Sequence, residues 1–245
     1  MLRSAVIALA LCFATVTAQA ALLGRAALTP GGTDYQAYYD DVLDITWLAD
    51  ANYTQTSGFD GDGSITWFEA GTWFSSLNAN AYLGLTAWRL PKIINILGPC
   101  NSAAISCLNV SMIADEMVNL SYKTLGNVGY YTALGLDDYG FYDPNNAQPT
   151  TCGDGLPSCL TNVGPFSNFQ PSYYWYSNEY PANPGDAWHF NFYNGLQSVA
   201  PRSNTAFVWA VHDGDPFSVV PIPAAVWLFG SALGLMGVMR RKITA

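Results

Sequence analysis

The sequence predicts an α+β fold: an antiparallel sheet, few helices and a long irregular segment. Three observations predict it. Runs of alternating apolar and polar residues concentrate between residues 173 and 212. One amphipathic helix with a recognisable start signal lies early, at residues 66–80. Between them, residues 98–168 are rich in Gly, Pro, Asn and Ser and carry little periodicity. Helices placed early and strands placed late are the segregated arrangement of α+β domains.

Taken in order, residues 21–33 read as a linker, and residues 34–215 as one domain long enough for a substantial core. Residues 39–48 (YDDVLDITWL) read as a first strand, with Leu43, Ile45 and Trp47 on one face and Asp44 and Thr46 on the other. A loop follows to Ile65. Thr66 and Glu69 form a capping box, in which each side chain satisfies the other's backbone N–H. Phe68, Trp73, Phe74 and Leu77 then make an apolar stripe.

The same loop offers a second reading. Residues 58–69 (GFDGDGSITWFE) overlay a calcium-binding EF-hand loop, with Asp60, Asp62 and Glu69 as candidate ligands. Gly58 stands at the first ligand position and supplies no side chain. Calcium is the one candidate ion, and no other cofactor is expected.

Arg89 sits between Trp88 and Leu90 in an uncharged run, so it should be partly buried and paired with a carboxylate or carbonyls. Pro91 opens a short helical stretch over residues 92–97. Ser111 caps a second helix over residues 112–123, with Ile113, Met117 and Leu120 on one side.

The last third reads as strands. Residues 173–179 form one. Residues 187–193 form another, with Trp188, Phe190 and Phe192 inward and His189, Asn191 and Tyr193 outward. Asn194-Gly195 suits a two-residue hairpin turn, and residues 196–199 return. Residues 206–212 make a final strand with Phe207, Trp209 and Val211 on one face.

Both ends read as export signals. Arg3, an apolar run over residues 5–16 and Ala18-Gln19-Ala20 describe a signal helix cleaved after Ala20. After a short linker at residues 216–219, the C-terminal stretch has stiff Val220-Pro221-Ile222-Pro223, 16 uncharged residues (224–239), and Arg240-Arg241-Lys242. Uncharged residues closed by basic ones describe a transmembrane helix with its basic end in the cytoplasm. Sixteen helical residues span about 24 Å against a bilayer core of about 30 Å, so the segment is short.

The full chain carries a net charge of −9, which becomes −13 once the four basic residues of the two ends are removed. Such a surface repels phosphate backbones and excludes nucleic acid as a partner. Cys100, Cys107, Cys152 and Cys159 remain in the body. An even number in an oxidising compartment points to disulfides, and Cys100–Cys107 with Cys152–Cys159 is the favoured of three pairings.

Catalytic machinery is sparse. His189 and His212 are the histidines, and neither lies in a recognisable nucleophile or metalloprotease motif. No catalytic residue is assigned. Asp40-Asp41 and Asp137-Asp138 are carboxylate pairs of the kind a glycosidase needs. Tyrosine faces stack on sugar rings, and Tyr174, Tyr176, His189 and Asn191 are candidate ligand contacts.

The tail resembles the PEP-CTERM sorting signal of Gram-negative bacteria, matched by Val220, Pro221, Pro223, Ala224, Ala225, Trp227, Arg240 and Arg241. The usual Glu is Ile222 here. That resemblance implies recognition by an exosortase, transient membrane anchoring, cleavage near the prolines and delivery to the cell surface or extracellular matrix.

The body resembles the Lcl C-terminal domain family. The shared residues include Tyr39-Asp40-Asp41, Ile45-Thr46-Trp47-Leu48, Thr66-Trp67, Glu69-Ala70, Trp88-Arg89-Leu90-Pro91, Tyr174-Trp175, Ala187-Trp188, Arg202 and Val208-Trp209, ending in Asp213-Gly214-Asp215. Tyr176 and His212 depart from its pattern. The resemblance implies a C-type-lectin-like or formylglycine-generating-enzyme-like fold with residues 98–168 as the insertion. It also implies binding of polysaccharide or a matrix component, and it carries over no catalytic residue assignments. A glycan-acting hydrolase and a purely structural matrix protein are the alternatives.

Overall fold

The computed structural model describes residues 22–93, 106–107, 115–127, 131–133, 147–149, 160–193 and 195–218. The chain divides into two compact units, one ending at Asp215 and the other Pro216–Ala245. The first unit is α+β and mostly sheet.

A four-stranded antiparallel sheet has the order β1 (Leu22–Ala27), β2 (Tyr35–Asp40), β3 (Ile45–Leu48), β12 (Val211–Asp213). A six-stranded sheet has the order β4 (Ser64–Thr66), β11 (Thr205–Phe207), β8 (Tyr173–Glu179), β9 (Asp186–Asn191), β10 (Leu196–Pro201), β5 (Ser106–Cys107). Its strands pair antiparallel except β11 with β8. A small pair joins β6 (Tyr131–Ala133) to β7 (Ala147–Pro149). The helices are α1 (Tyr53–Thr56), α2 (Trp67–Ala79) and α3 (Glu116–Asn119), the last continuing as a π-turn over Leu120–Thr124.

The linker expected at residues 21–33 is corrected over Leu22–Ala27. That segment is β1, because it pairs with β2 from Leu22↔Asp40 to Ala27↔Tyr35. The single strand expected at residues 39–48 is a hairpin. Asp40 accepts the backbone N–H groups of Val42 and Leu43 at 3.0 and 3.1 Å, and Asp44 adopts φ 51°, so the chain reverses there. All four residues of β3 are buried, Thr46 included, so its alternation does not separate core from solvent.

α2 begins with the expected capping box: Glu69 N donates to Thr66 Oγ1 at 3.2 Å, and Thr66 N donates to Glu69 Oε2 at 2.8 Å. Ala70, Trp73, Phe74 and Leu77 are buried, whereas Phe68 is 57% exposed and leaves the stripe. Asn78 then latches the next segment, accepting from Trp88 N at 2.8 Å and donating to Trp88 O at 2.9 Å.

The helical start expected at residue 92 is absent at Lys92 and Ile93. Ile93 forms a bridge with Asp115 and donates its N–H to Asn178 Oδ1 at 2.8 Å. The rest of that stretch lies outside the described residues, as do Ser111, Met112 and Ile113 of the second expected helix. Within the described part, Asp115 caps α3 by accepting from Val118 N at 3.0 Å, and Met117 and Leu120 are buried.

Residues 206–212 are one extended run but not one strand. β11 ends at Phe207, Val208 to Ala210 cross between sheets, and β12 starts at Val211. The crossing is held by Leu48 N donating to Ala210 O at 2.9 Å and Trp209 Nε1 donating to Leu48 O at 2.8 Å. Trp209 lies at the centre of the core, with ring centroids 4.7 Å from Phe166, 4.7 Å from Phe169 and 4.9 Å from Trp47.

The cysteine side chains, the expected signal helix with Ala18 and Ala20, and the expected sorting signal at residues 220–242 lie outside the described residues. Cys107 contributes only its backbone, in β5. No helix among the described residues is long and apolar enough to cross a membrane.

Candidate functional site

The hairpin β9–β10 positions two of the four predicted ligand contacts, His189 and Asn191, and β8 carries Tyr174 and Tyr176. Leu196 pairs with Asn191, so the connecting loop is residues 192–195, not the two-residue turn expected at Asn194-Gly195. Asn191 causes the longer loop: its carbonyl accepts from Gly195 N at 2.7 Å and its side-chain oxygen from Tyr193 N at 2.8 Å. The register shifts by two residues, and His189 faces Ser198 instead of Ala200.

His189 Nε2 and Ser198 Oγ are 2.5 Å apart. The imidazole is stacked between aromatic rings, with Tyr173 at 4.4 Å and Trp175 at 5.6 Å. Burial pushes its pKa down to about 4. At neutral pH the ring is therefore uncharged. A general base works best near the ambient pH. A histidine this acidic suits a fixed cross-strand hydrogen bond better than proton abstraction from Ser198.

Four predicted contacts are buried. Tyr174 and Tyr176 are fully covered, and His189 and Asn191 are 8% and 5% exposed. The outward face expected for His189 and Asn191 is corrected, since both faces of β9 are covered. Tyr174 and Tyr176 turn elsewhere, Tyr174 toward Trp209 and Tyr176 toward Asp115 at the start of α3. Tyr174 packs edge-on against Phe169 and Phe192. The aromatics that do reach solvent here are neighbours of the predicted ones: Tyr173, 37% exposed, and Tyr193, 43% exposed. They lie at one end of the sheet, where Phe192 N donates to Ser172 O at 3.0 Å.

Behind this face is a buried polar network that the sequence pattern did not reveal. The Asp115 carboxylate receives Tyr176 Oη at 2.5 Å, Gln197 Nε2 at 2.6 Å and Val118 N at 3.0 Å. Burial outweighs these three donors and pushes its pKa up to about 7. The network joins α3 to β8 and β10.

A second cluster lies beside it. Arg89 makes a two-pronged ion pair with Glu116, Nη1–Oε2 at 2.9 Å and Nη2–Oε1 at 2.8 Å. It also reaches Asp213 and its own neighbour's carbonyl, Leu90 O at 2.9 Å. The expected pairing of a half-buried arginine is thus met by carboxylates from α3 and β12. His212 Nδ1 donates to the Asp213 carbonyl, 2.7 Å away, and not to its carboxylate.

The expected calcium ligands serve their own loop. Asp60 Oδ1 accepts from Asp62 N and Gly63 N at 3.0 and 2.8 Å, Asp62 Oδ1 from Ser64 N at 2.7 Å, and Glu69 closes the capping box. Gly63 has φ 83°, and a Cβ there would lie 1.8 Å from Asn52 Oδ1, so the turn requires glycine. Among the described residues no three His, Cys, Asp or Glu side chains gather as a metal site. Asp40 is buried and accepts from Val42, Leu43 and Thr124, which commits it to the β2–β3 turn. Asp137 and Asp138 lie outside the described residues.

These pKa shifts have opposite consequences. Asp115 binds its proton more tightly folded than unfolded, so its contribution is complete below about pH 4 and is lost as pH rises through about 7. His189 contributes above about pH 6.5 and loses that contribution as pH falls toward about 4. From about pH 4 to 6.5 the two oppose. In Asp115→Asn the stability measured by urea unfolding is expected to climb more steeply with pH across that window than in the parent. An equal or shallower slope contradicts the assignment.

Comparison with protein-family models, with curated proteins and with solved structures finds no match to this chain.

Proposed function

We propose that this chain is an exported, exosortase-sorted protein of the bacterial surface or biofilm matrix, whose body binds polysaccharide without chemical turnover. The observation that carries this reading is the sequence of the tail: Val220-Pro221-Ile222-Pro223, 16 uncharged residues, then Arg240-Arg241-Lys242. The signal-peptide pattern ending at Ala20 agrees with it. The finer fold reading, a C-type-lectin-like unit, belongs to the same proposal.

The interior chemistry supports binding over catalysis. Asp115, Glu116, Arg89 and Asp40 are each taken up in hydrogen bonds that hold elements together. The burial of Asp40 speaks against the Asp40-Asp41 pair as glycosidase carboxylates. Tyr173 provides an open ring backed by the His189–Trp175 stack, a firm platform of the kind sugar faces occupy.

The test is retention of the secreted protein on exopolysaccharide fractions of the producing cells. Binding is expected, weakened about tenfold in Tyr173→Ala, the loss of one aromatic anchor. A folded protein that binds no fraction contradicts the reading.

A further inference from the structure

Trp67 and Phe68 meet edge to face, centroids 6.1 Å apart and planes at 88°, at the start of α2. The guanidinium carbon of Arg202 sits in the corner they make, 5.1 Å from the Trp67 ring and 4.8 Å from the Phe68 ring. Arg202 Nη1 bonds Glu179 Oε1 at 2.5 Å, while Arg202 Nε is buried without a partner. An arginine carries five N–H donors, so most of this fork is unused by the described residues.

The corner is rigid. Trp67 N donates to Arg202 O at 3.2 Å, Arg202 N to Gly185 O at 3.0 Å, and Trp67 Nε1 to Tyr176 O at 2.9 Å. These bonds tie α2, the middle of β8, the β8–β9 connection and the segment after β10 to one another. Yet its working groups reach water: Phe68 is 57% exposed, and the Glu179 side chain is 49% exposed. A lone exposed ring means little. Here an exposed ring stands beside a fixed donor and a fixed acceptor, on a frame that does not need to reorganise to receive a ligand.

We infer that the Phe68–Arg202–Glu179 corner is a binding subsite for a neutral pyranose with adjacent hydroxyls. A pyranose has an apolar C–H face, which matches the open part of the Phe68 ring. Two neighbouring hydroxyls need one donor and one acceptor, which the Arg202 fork and the Glu179 carboxylate supply. Charge selects the neutral sugar over an acidic one. Glu179 already balances Arg202, and the whole chain is net −9, so a uronate would meet repulsion on both scales. This inference rests on the polysaccharide-binding reading and names the ligand class and the residues.

Retention of the secreted protein is compared on dextran, mannan and galactan, and on polygalacturonate. At least one neutral polymer is expected to bind more tightly than polygalacturonate. Phe68→Ala is expected to weaken that binding about tenfold or more, with near-ultraviolet circular dichroism unchanged because the ring is exposed. Glu179→Gln separates the two ligand classes: it weakens binding of a neutral diol but strengthens binding of a uronate. Wild-type affinity in folded Phe68→Ala, or tighter polygalacturonate binding in Glu179→Gln with neutral binding untouched, overturns the subsite and leaves the broader reading standing. A parent protein that binds no polysaccharide overturns both.

Discussion

Arg89→Ala is expected to destabilise the body by roughly 3–5 kcal/mol, the cost of stranding a buried charge. The Glu116 side chain is 1% exposed and meets Arg89 through two parallel hydrogen bonds. Lys92 N also donates to Glu116, at 2.8 Å, and that bond survives the substitution but does not neutralise the carboxylate. Arg89 further ties this carboxylate to Asp213 of β12. Lysine cannot rescue the geometry, because it lacks the planar fork. Neutralising both partners, as in Arg89→Met with Glu116→Gln, is expected to be less damaging than Arg89→Met alone. Urea unfolding followed by tryptophan fluorescence measures all four proteins. A loss below about 1 kcal/mol for Arg89→Ala would show the pair to be a surface-like one.

Trp209→Ala is the second large effect, about 3–5 kcal/mol for removing a buried tryptophan. Its ring is fully buried and packs against Trp47, Phe166 and Phe169. It stands in the crossing from one sheet to the other, so the cavity opens where both sheets share a core. Trp209→Phe keeps much of the ring but leaves Leu48 O without its indole partner, a smaller cost of about 1–3 kcal/mol. The same unfolding experiment ranks the two. Equal losses would mean that the hydrogen bond, and not the packing, carries the site.

The parts of this fold that local rules govern were legible in the sequence. Thr66 and Glu69 announce their helix because a capping box needs only four residues. Arg89 announces its pairing because an arginine among apolar neighbours has few alternatives. What was not legible depends on partners far away in the chain. The alternation in Ile45-Thr46-Trp47-Leu48 suggests one wet face, but all four residues are buried. Residues 206–212 alternate like one strand although they serve two sheets, since nothing local says where a partner strand ends. In the site, a four-residue connection at 192–195 in place of two moved Ser198 opposite His189, and layers from distant parts of the chain buried Tyr174, Tyr176, His189 and Asn191. The Asp115 network joins residues 61 and 82 positions apart, beyond the reach of any spacing rule.

The central claim is that this acidic body is made for the outside of the cell and loses both ends on the way. Intact-mass measurement on protein from the culture supernatant and from the cytoplasm of the producing cells tests it most directly. The account predicts an extracellular species that begins at Ala21 and ends near residues 220–223, without Arg240, Arg241 and Lys242. An unprocessed chain of 26.5 kDa confined to the cytoplasm would contradict it.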